Sequence, residues 1–91
     1  MSLVSKTVTA ENQFTDWIGI ENGVLAITGT FVGTVTLQHM QSGTGTATDA
    51  QTFTAAGVHS LSGTAGELFR AGIKTGGYTS GTAYLTLNNG A

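Results

Sequence analysis

Hydrophobic and polar positions alternate along most of this chain. Val4, Val8 and Ala10 take one side of the first ten residues, and Ser5, Thr7 and Thr9 take the other. That is the period-two pattern of a strand with one buried face. Lys6 falls on the apolar side of the same strand, so this face is not expected to be sealed in a monomer. Trp17-Ile18-Gly19-Ile20 predicts a second short strand, closed by Glu21-Asn22-Gly23. Asn-Gly supplies the positive φ angles of a tight hairpin, so residues 24–27 are expected to pair back with it. Thr34-Val35-Thr36-Leu37-Gln38 alternates cleanly, with Val35, Leu37 and His39 in phase on the inner side.

Residues 41–50, QSGTGTATDA, hold no large apolar side chain and read as a flexible loop between strands. Alternation resumes around Phe53, and Val58 and Leu61 mark a short strand or a connection. Phe69, Ala71 and Ile73 form one face of a longer strand, with Leu68, Arg70, Gly72 and Lys74 on the other. Gly76-Gly77 predicts a turn, and Ala83, Leu85 and Leu87 alternate along the last strand. No window of 11 or more residues carries the 3.6-residue period of a helix. Short strands at this spacing point to an antiparallel sandwich or a small barrel. The expectation is all-β: a small antiparallel β-sandwich of seven to eight short strands, with a jelly-roll arrangement open. Residues 1–10 would be an N-terminal strand or arm, and residues 11–91 a single sandwich domain.

Composition narrows the function. Charged residues make up 9% of the 91, with three basic and five acidic side chains, against about 25% in an ordinary soluble domain. Lys6, Arg70 and Lys74 are the only fixed positive charges, too few to track a phosphate backbone, so nucleic acid is not an expected partner. The absence of cysteine excludes disulfides, thiolate metal sites and cysteine nucleophiles. Residues 1–10 lack the apolar run of a secretory signal, and no stretch approaches the ~18 apolar residues of a membrane helix. The expectation is a chain made in a cytoplasm and not held in a membrane. One core of this size supplies about 3–5 kcal/mol at most, so self-association or docking on a larger body is the expected supplement.

The chemistry-bearing residues assemble into no recognisable motif. His39 and His59 stand twenty positions apart without a neighbouring ligand, so neither a metal nor a cofactor is expected. Ser60 or Ser62 with a histidine and Asp49 or Asp16 could be drawn as a triad, but no Gly-x-Ser-x-Gly elbow aims a serine. The five acids are scattered one per loop, and Gly43-Thr44-Gly45 is not a phosphate loop. Catalysis is not expected. Trp17, Phe14, Phe31, Phe53 and Phe69 are expected in the core, with Trp17 in the core or at a subunit interface. Tyr84 is out of phase with Ala83 and Leu85 and should be exposed, suiting protein or sugar contacts. Arg70 and Lys74 share one strand face near Tyr78 and form either a solvated face or an anchor for an acidic partner.

Three segments carry a resemblance: Gly33-Thr34-Val35-Thr36-Leu37-Gln38 before a Gly-rich loop, Phe69-Arg70-Ala71-Gly72-Ile73-Lys74-Thr75-Gly76, and Tyr78-Thr79-Ser80-Gly81-Thr82-Ala83. Their order and separation resemble a family of small tailed-bacteriophage virion β-sandwich proteins, of the capsid decoration (cement) type. The likeness runs from about residue 14 onward. It departs after Leu37-Gln38, where a basic residue and a Ser-x-Asp-Gly turn give way to His39-Met40-Gln41-Ser42-Gly43. The resemblance implies a structural role on the capsid surface of a virion, without catalysis. It implies the major capsid protein as partner and a homotrimer. Residues 1–10, including Leu3, Val4, Lys6 and Val8, would be an arm for the shell, with Arg70, Lys74, Tyr78 and Tyr84 as further partner-binding residues. The alternative is a tail-fibre or head-spike module that binds host glycans.

Overall fold

The computed structural model describes residues 3–41, 46–63 and 66–89. These form β1 (Leu3–Val8), β2 (Gln13–Phe14), β3 (Ile18–Gly19), β4 (Asn22–Thr28), β5 (Phe31–Gly33), β6 (Val35–Gln41), β7 (Thr48–Phe53), β8 (Gly57–Ser62), β9 (Glu67–Ile73), β10 (Tyr78–Gly81) and β11 (Ala83–Asn88). Every pairing is antiparallel. One sheet runs β1-β11-β4-β8, and the other runs β2-β9-β6-β7, with β3 also paired to β9. β5 and β10 form a separate two-stranded piece.

β2 and β3 act as one interrupted strand. In the gap between them the Thr15 amide donates to the Ala71 carbonyl, and the Ala71 amide donates to the Thr15 hydroxyl. Counted this way, and with the β5–β10 pair set aside, eight strands make two four-stranded layers. Their neighbour order is the double Greek key of a jelly roll. The antiparallel sandwich is therefore the fold. The extra elements are two to four residues long, too short to show an alternation.

The core is aliphatic. Val8, Leu25, Ile27, Leu85 and Leu87 from the first sheet meet Val35, Leu37, Ala71 and Ile73 from the second, all of them buried. This corrects the expectation of an aromatic core. Phe69 is buried, Phe31 and Phe53 only flank the core, and Phe14 and Trp17 are half-buried. Sheets ~10 Å apart are filled by branched side chains that meet near the midplane.

The expected hairpin at Asn22-Gly23 does not form. β3 pairs with β9, while β4 pairs with β11 and β8, so the chain crosses between sheets here. Gly23 serves close packing: a Cβ there would run into the Asn88 carbonyl oxygen and the Ile20 side chain. The turn at Gly76 does form, with φ +85° and the Gly77 amide donating to the Lys74 carbonyl at 2.9 Å.

The first segment is an integral strand. All six residues of β1 register with β11, from Leu3 opposite Asn88 to Val8 opposite Ala83. The expected loop over residues 41–50 is shorter at both ends, since β6 continues through Gln41 and β7 begins at Thr48. Residues 42–45 of that loop lie outside the described residues.

Candidate interaction surfaces

Two outer faces matter, one on each sheet. On the first sheet the register aligns Leu3, Asn88, Val24 and Ser60 in one row and Ser5, Thr86, Ala26 and Val58 in the next. Thr7, Tyr84 and Thr28 form a third row. None of these outward residues is charged. Leu3, Val58 and Tyr84 are exposed at 56%, 72% and 50%. Such a face can be covered by a neighbour without stripping water from a charge.

The second sheet presents a polar cluster. Arg70 on β9 stands across from Gln38 on β6. Its guanidinium carbon lies 4.3 Å from the centre of the Phe14 ring and 4.8 Å from the Trp17 ring. Its Nε donates to Gln38 Oε1 at 2.8 Å, and Gln38 Nε2 donates to Asp49 Oδ1 at 3.1 Å. Lys74 Nζ closes the series on Asp49 Oδ2 at 2.8 Å. The Lys74 ammonium, and after it the Gln38 amide, hold the Asp49 carboxyl below its ordinary value of 3.8.

A bulge puts Asp49 there. The register runs Leu37 opposite Gln51 and then Gln38 opposite Asp49, leaving Ala50 as the extra residue. With regular pairing Asp49 would face His39, whose side chain belongs to the inner side.

A cavity of about 270 Å³ is lined by residues from both sheets, including Leu37, His39, Gln51, Leu61 and Glu67. His39 Nδ1 lies 2.8 Å from Glu67 Oε2, and its ring stacks on Phe69. His59 stacks on Phe53 at 4.1 Å between centroids, and its Nε2 is buried without a hydrogen-bond partner. No group of three or more His, Asp or Glu side chains comes together among the described residues.

The candidate partner residues fall into separate places. Leu3 and Tyr84 share the uncharged face. Val8 is wholly buried and Val4 packs against the core, so Val8 is not a contact residue on this chain's surface. The reason is the pairing of β1 with β11, which turns Val8 inward opposite Ala83. Lys6 is exposed at the sheet edge opposite Leu85. Tyr78 packs on the core and donates its hydroxyl to the Gly81 carbonyl at 2.8 Å. Arg70 and Lys74 belong to one network, but on the other sheet from Tyr84. Phe14, Trp17, Gln38 and Asp49 complete that network and were not foreseen in it, because the contacts join distant stretches of chain. Comparison with protein-family models, with curated proteins and with solved structures finds no match to this chain.

Proposed function

We propose that this chain is a non-enzymatic structural protein of a tailed-phage virion, seated as trimers on the outside of the capsid as a decoration protein. The observation that carries the reading is the uncovered, uncharged outer face of the β1-β11-β4-β8 sheet, with Leu3, Val58 and Tyr84 exposed on it. The resemblance of the 33–38, 69–76 and 78–83 segments supports the same reading.

Magnitudes favour a repeated contact over a single tight one. Four strands six to seven residues long present roughly 400 Å² of sheet plane. A stable pairwise interface buries about 800 Å² per partner. One such face gives a weak contact, and weak contacts repeated on a symmetric shell add through effective concentration. Jelly rolls occur in viral capsid and lectin domains alike, so the fold leaves the choice to the surface. Trp17, an aromatic ring of the kind a sugar platform uses, is engaged with Arg70.

The test is co-sedimentation of the protein with tailed-phage heads lacking their own decoration protein, beside the thermal stability of those heads. Binding that raises the melting temperature of the heads is expected, and Val58→Asp with Tyr84→Asp should abolish it. A monomer that ignores heads and is retained on polysaccharide overturns the proposal.

A further inference from the structure

The arginine on the opposite sheet is arranged unlike the chain's other cation there. Lys74 has a carboxylate at 2.8 Å. Arg70 has none: among the described residues the fixed-charge ion pair is Lys74–Asp49, and Glu67 lies against His39. Its Nε is satisfied by an amide oxygen, and the Gln38 amide stands between it and Asp49. Neither Nη group has a hydrogen-bond partner among the described residues, leaving four N–H donors free. Arg70 is half-buried, and its guanidinium is held by two aromatic rings and one hydrogen bond. It borders a groove of about 260 Å³ lined by Asn12, Phe14, Gln38, Arg70, Lys74 and Thr75.

We infer that this groove is a carboxylate-binding site, in which the Nη edge of Arg70 takes an Asp or Glu side chain of an acidic protein segment as a two-bonded fork. The rings and Gln38 fix the guanidinium before the ligand arrives, so little side-chain freedom is lost on binding. A planar fork matches a carboxylate with two parallel N–H···O bonds. Charge decides against a polyanion. The cluster carries two cations and one anion, a surplus of one, on a chain of net charge −2. That balance is matched by a single carboxylate and leaves a nucleic-acid backbone or a free phosphate dianion under-neutralised. Gln38 also keeps Asp49 from occupying the fork itself, since its amide takes up one Asp49 oxygen while Lys74 takes the other. The assignment stands apart from the virion reading, because it concerns the other sheet and needs no capsid.

The experiment uses the full chain and two blocked tripeptides, acetyl-Gly-Glu-Gly-amide with its single carboxylate and its neutral counterpart acetyl-Gly-Gln-Gly-amide, with inorganic phosphate as a third ligand. Fluorescence of Trp17, the chain's sole tryptophan, and the Arg70 Nε–H resonance report occupancy. The acidic peptide is expected to bind with a Kd on the order of 1 mM, to move both signals, and to weaken as salt rises. Arg70→Lys keeps the charge but loses the fork, and it should weaken binding about tenfold or more. Equal responses to the neutral peptide overturn the proposal, and this comparison needs no variant. Stronger binding of phosphate than of the acidic peptide overturns it as well, as does an undiminished affinity in a folded Arg70→Lys protein.

Discussion

Phe14 lies directly across from Gly72 in the β2–β9 register, and its ring fills the space a side chain at Gly72 would need. A Cβ on Gly72 would stand 2.6 Å from both the Cα and the Cδ2 of Phe14 and would run into the Gln13 carbonyl oxygen. The missing side chain lets a two-residue strand close on β9 and set a ring against Arg70.

Gly72→Ala should therefore destabilise the fold by about 1–3 kcal/mol, the range for overpacking. The melting temperature should fall roughly 4–8 °C for each kcal/mol. Gly19→Ala is the control. A Cβ there meets the nearest atom of Leu68 at an ordinary 3.7 Å, and Gly19 has no positive φ. It should melt within about 0.5 kcal/mol of wild type, or slightly higher. Equal losses in the two variants would show that the close approach of Gln13 and Phe14 is not what requires glycine at position 72.

The inward positions of β6, β9 and β11 were legible from alternation, because the face a residue takes in a strand is a local property. Partnership was not legible. Asn22-Gly23 has the chemistry of a tight turn, but Ile20 and Leu25 are both buried, and burying them in one core carries the chain across to the other sheet. Nothing in Gln13-Phe14 announces a strand two residues long. Arg70 and Lys74 were picked out by their spacing on one face. Asp49, the partner of Lys74, falls in the stretch that reads as a loop, since the bulge that turns it toward Gln38 depends on the β6–β7 register.

Removing residues 1–8 should abolish cooperative unfolding. Val8 is wholly buried, and a fully buried aliphatic side chain contributes about 1.5–3 kcal/mol. The deletion also strips every β1 bond from β11 and bares the inner row of Ala83, Leu85 and Leu87. Against a net stability of about 3–5 kcal/mol for a core this small, that loss decides the outcome. Circular dichroism melting should show a broad, non-cooperative change. A sharp transition near the wild-type temperature would mean that β1 is detachable after all.

Asp49 should titrate below its ordinary value of 3.8, with Lys74 as the main cause and Gln38 as the second. A carboxyl whose pKa is lowered in the folded state contributes stability that is complete above the unfolded pKa. That contribution is lost as pH falls through the folded value. The effect is therefore confined to pH below about 4. Because both partners are about half exposed, with 49% and 45% of their side chains accessible, the pair is a weak contributor near neutral pH. Carboxyl-carbon NMR of the wild type should give a depressed midpoint for Asp49, and Lys74→Met should raise it. A midpoint that does not move in Lys74→Met would remove the ion pair as the cause.

Lys6 makes the last case. It sits on edge strand β1 opposite buried Leu85, in phase with Val4 and Val8, yet it is exposed. A charge on the inward phase of an edge strand obstructs pairing with another chain, because a second strand laid along β1 would have to desolvate it. Lys6→Val should keep the fold and melt at the wild-type temperature or above it, since valine favours strands by up to ~1 kcal/mol. It should also raise the tendency to associate. Sedimentation velocity at several protein concentrations, with wild type alongside, should show larger species that grow with concentration in the variant alone. Were Lys6→Val to sediment as wild type does at every concentration, the edge would be guarded by something other than this charge. Lys6→Glu separates the two effects: it keeps a charge at the edge, so it should leave association at the wild-type level while giving no gain in melting temperature.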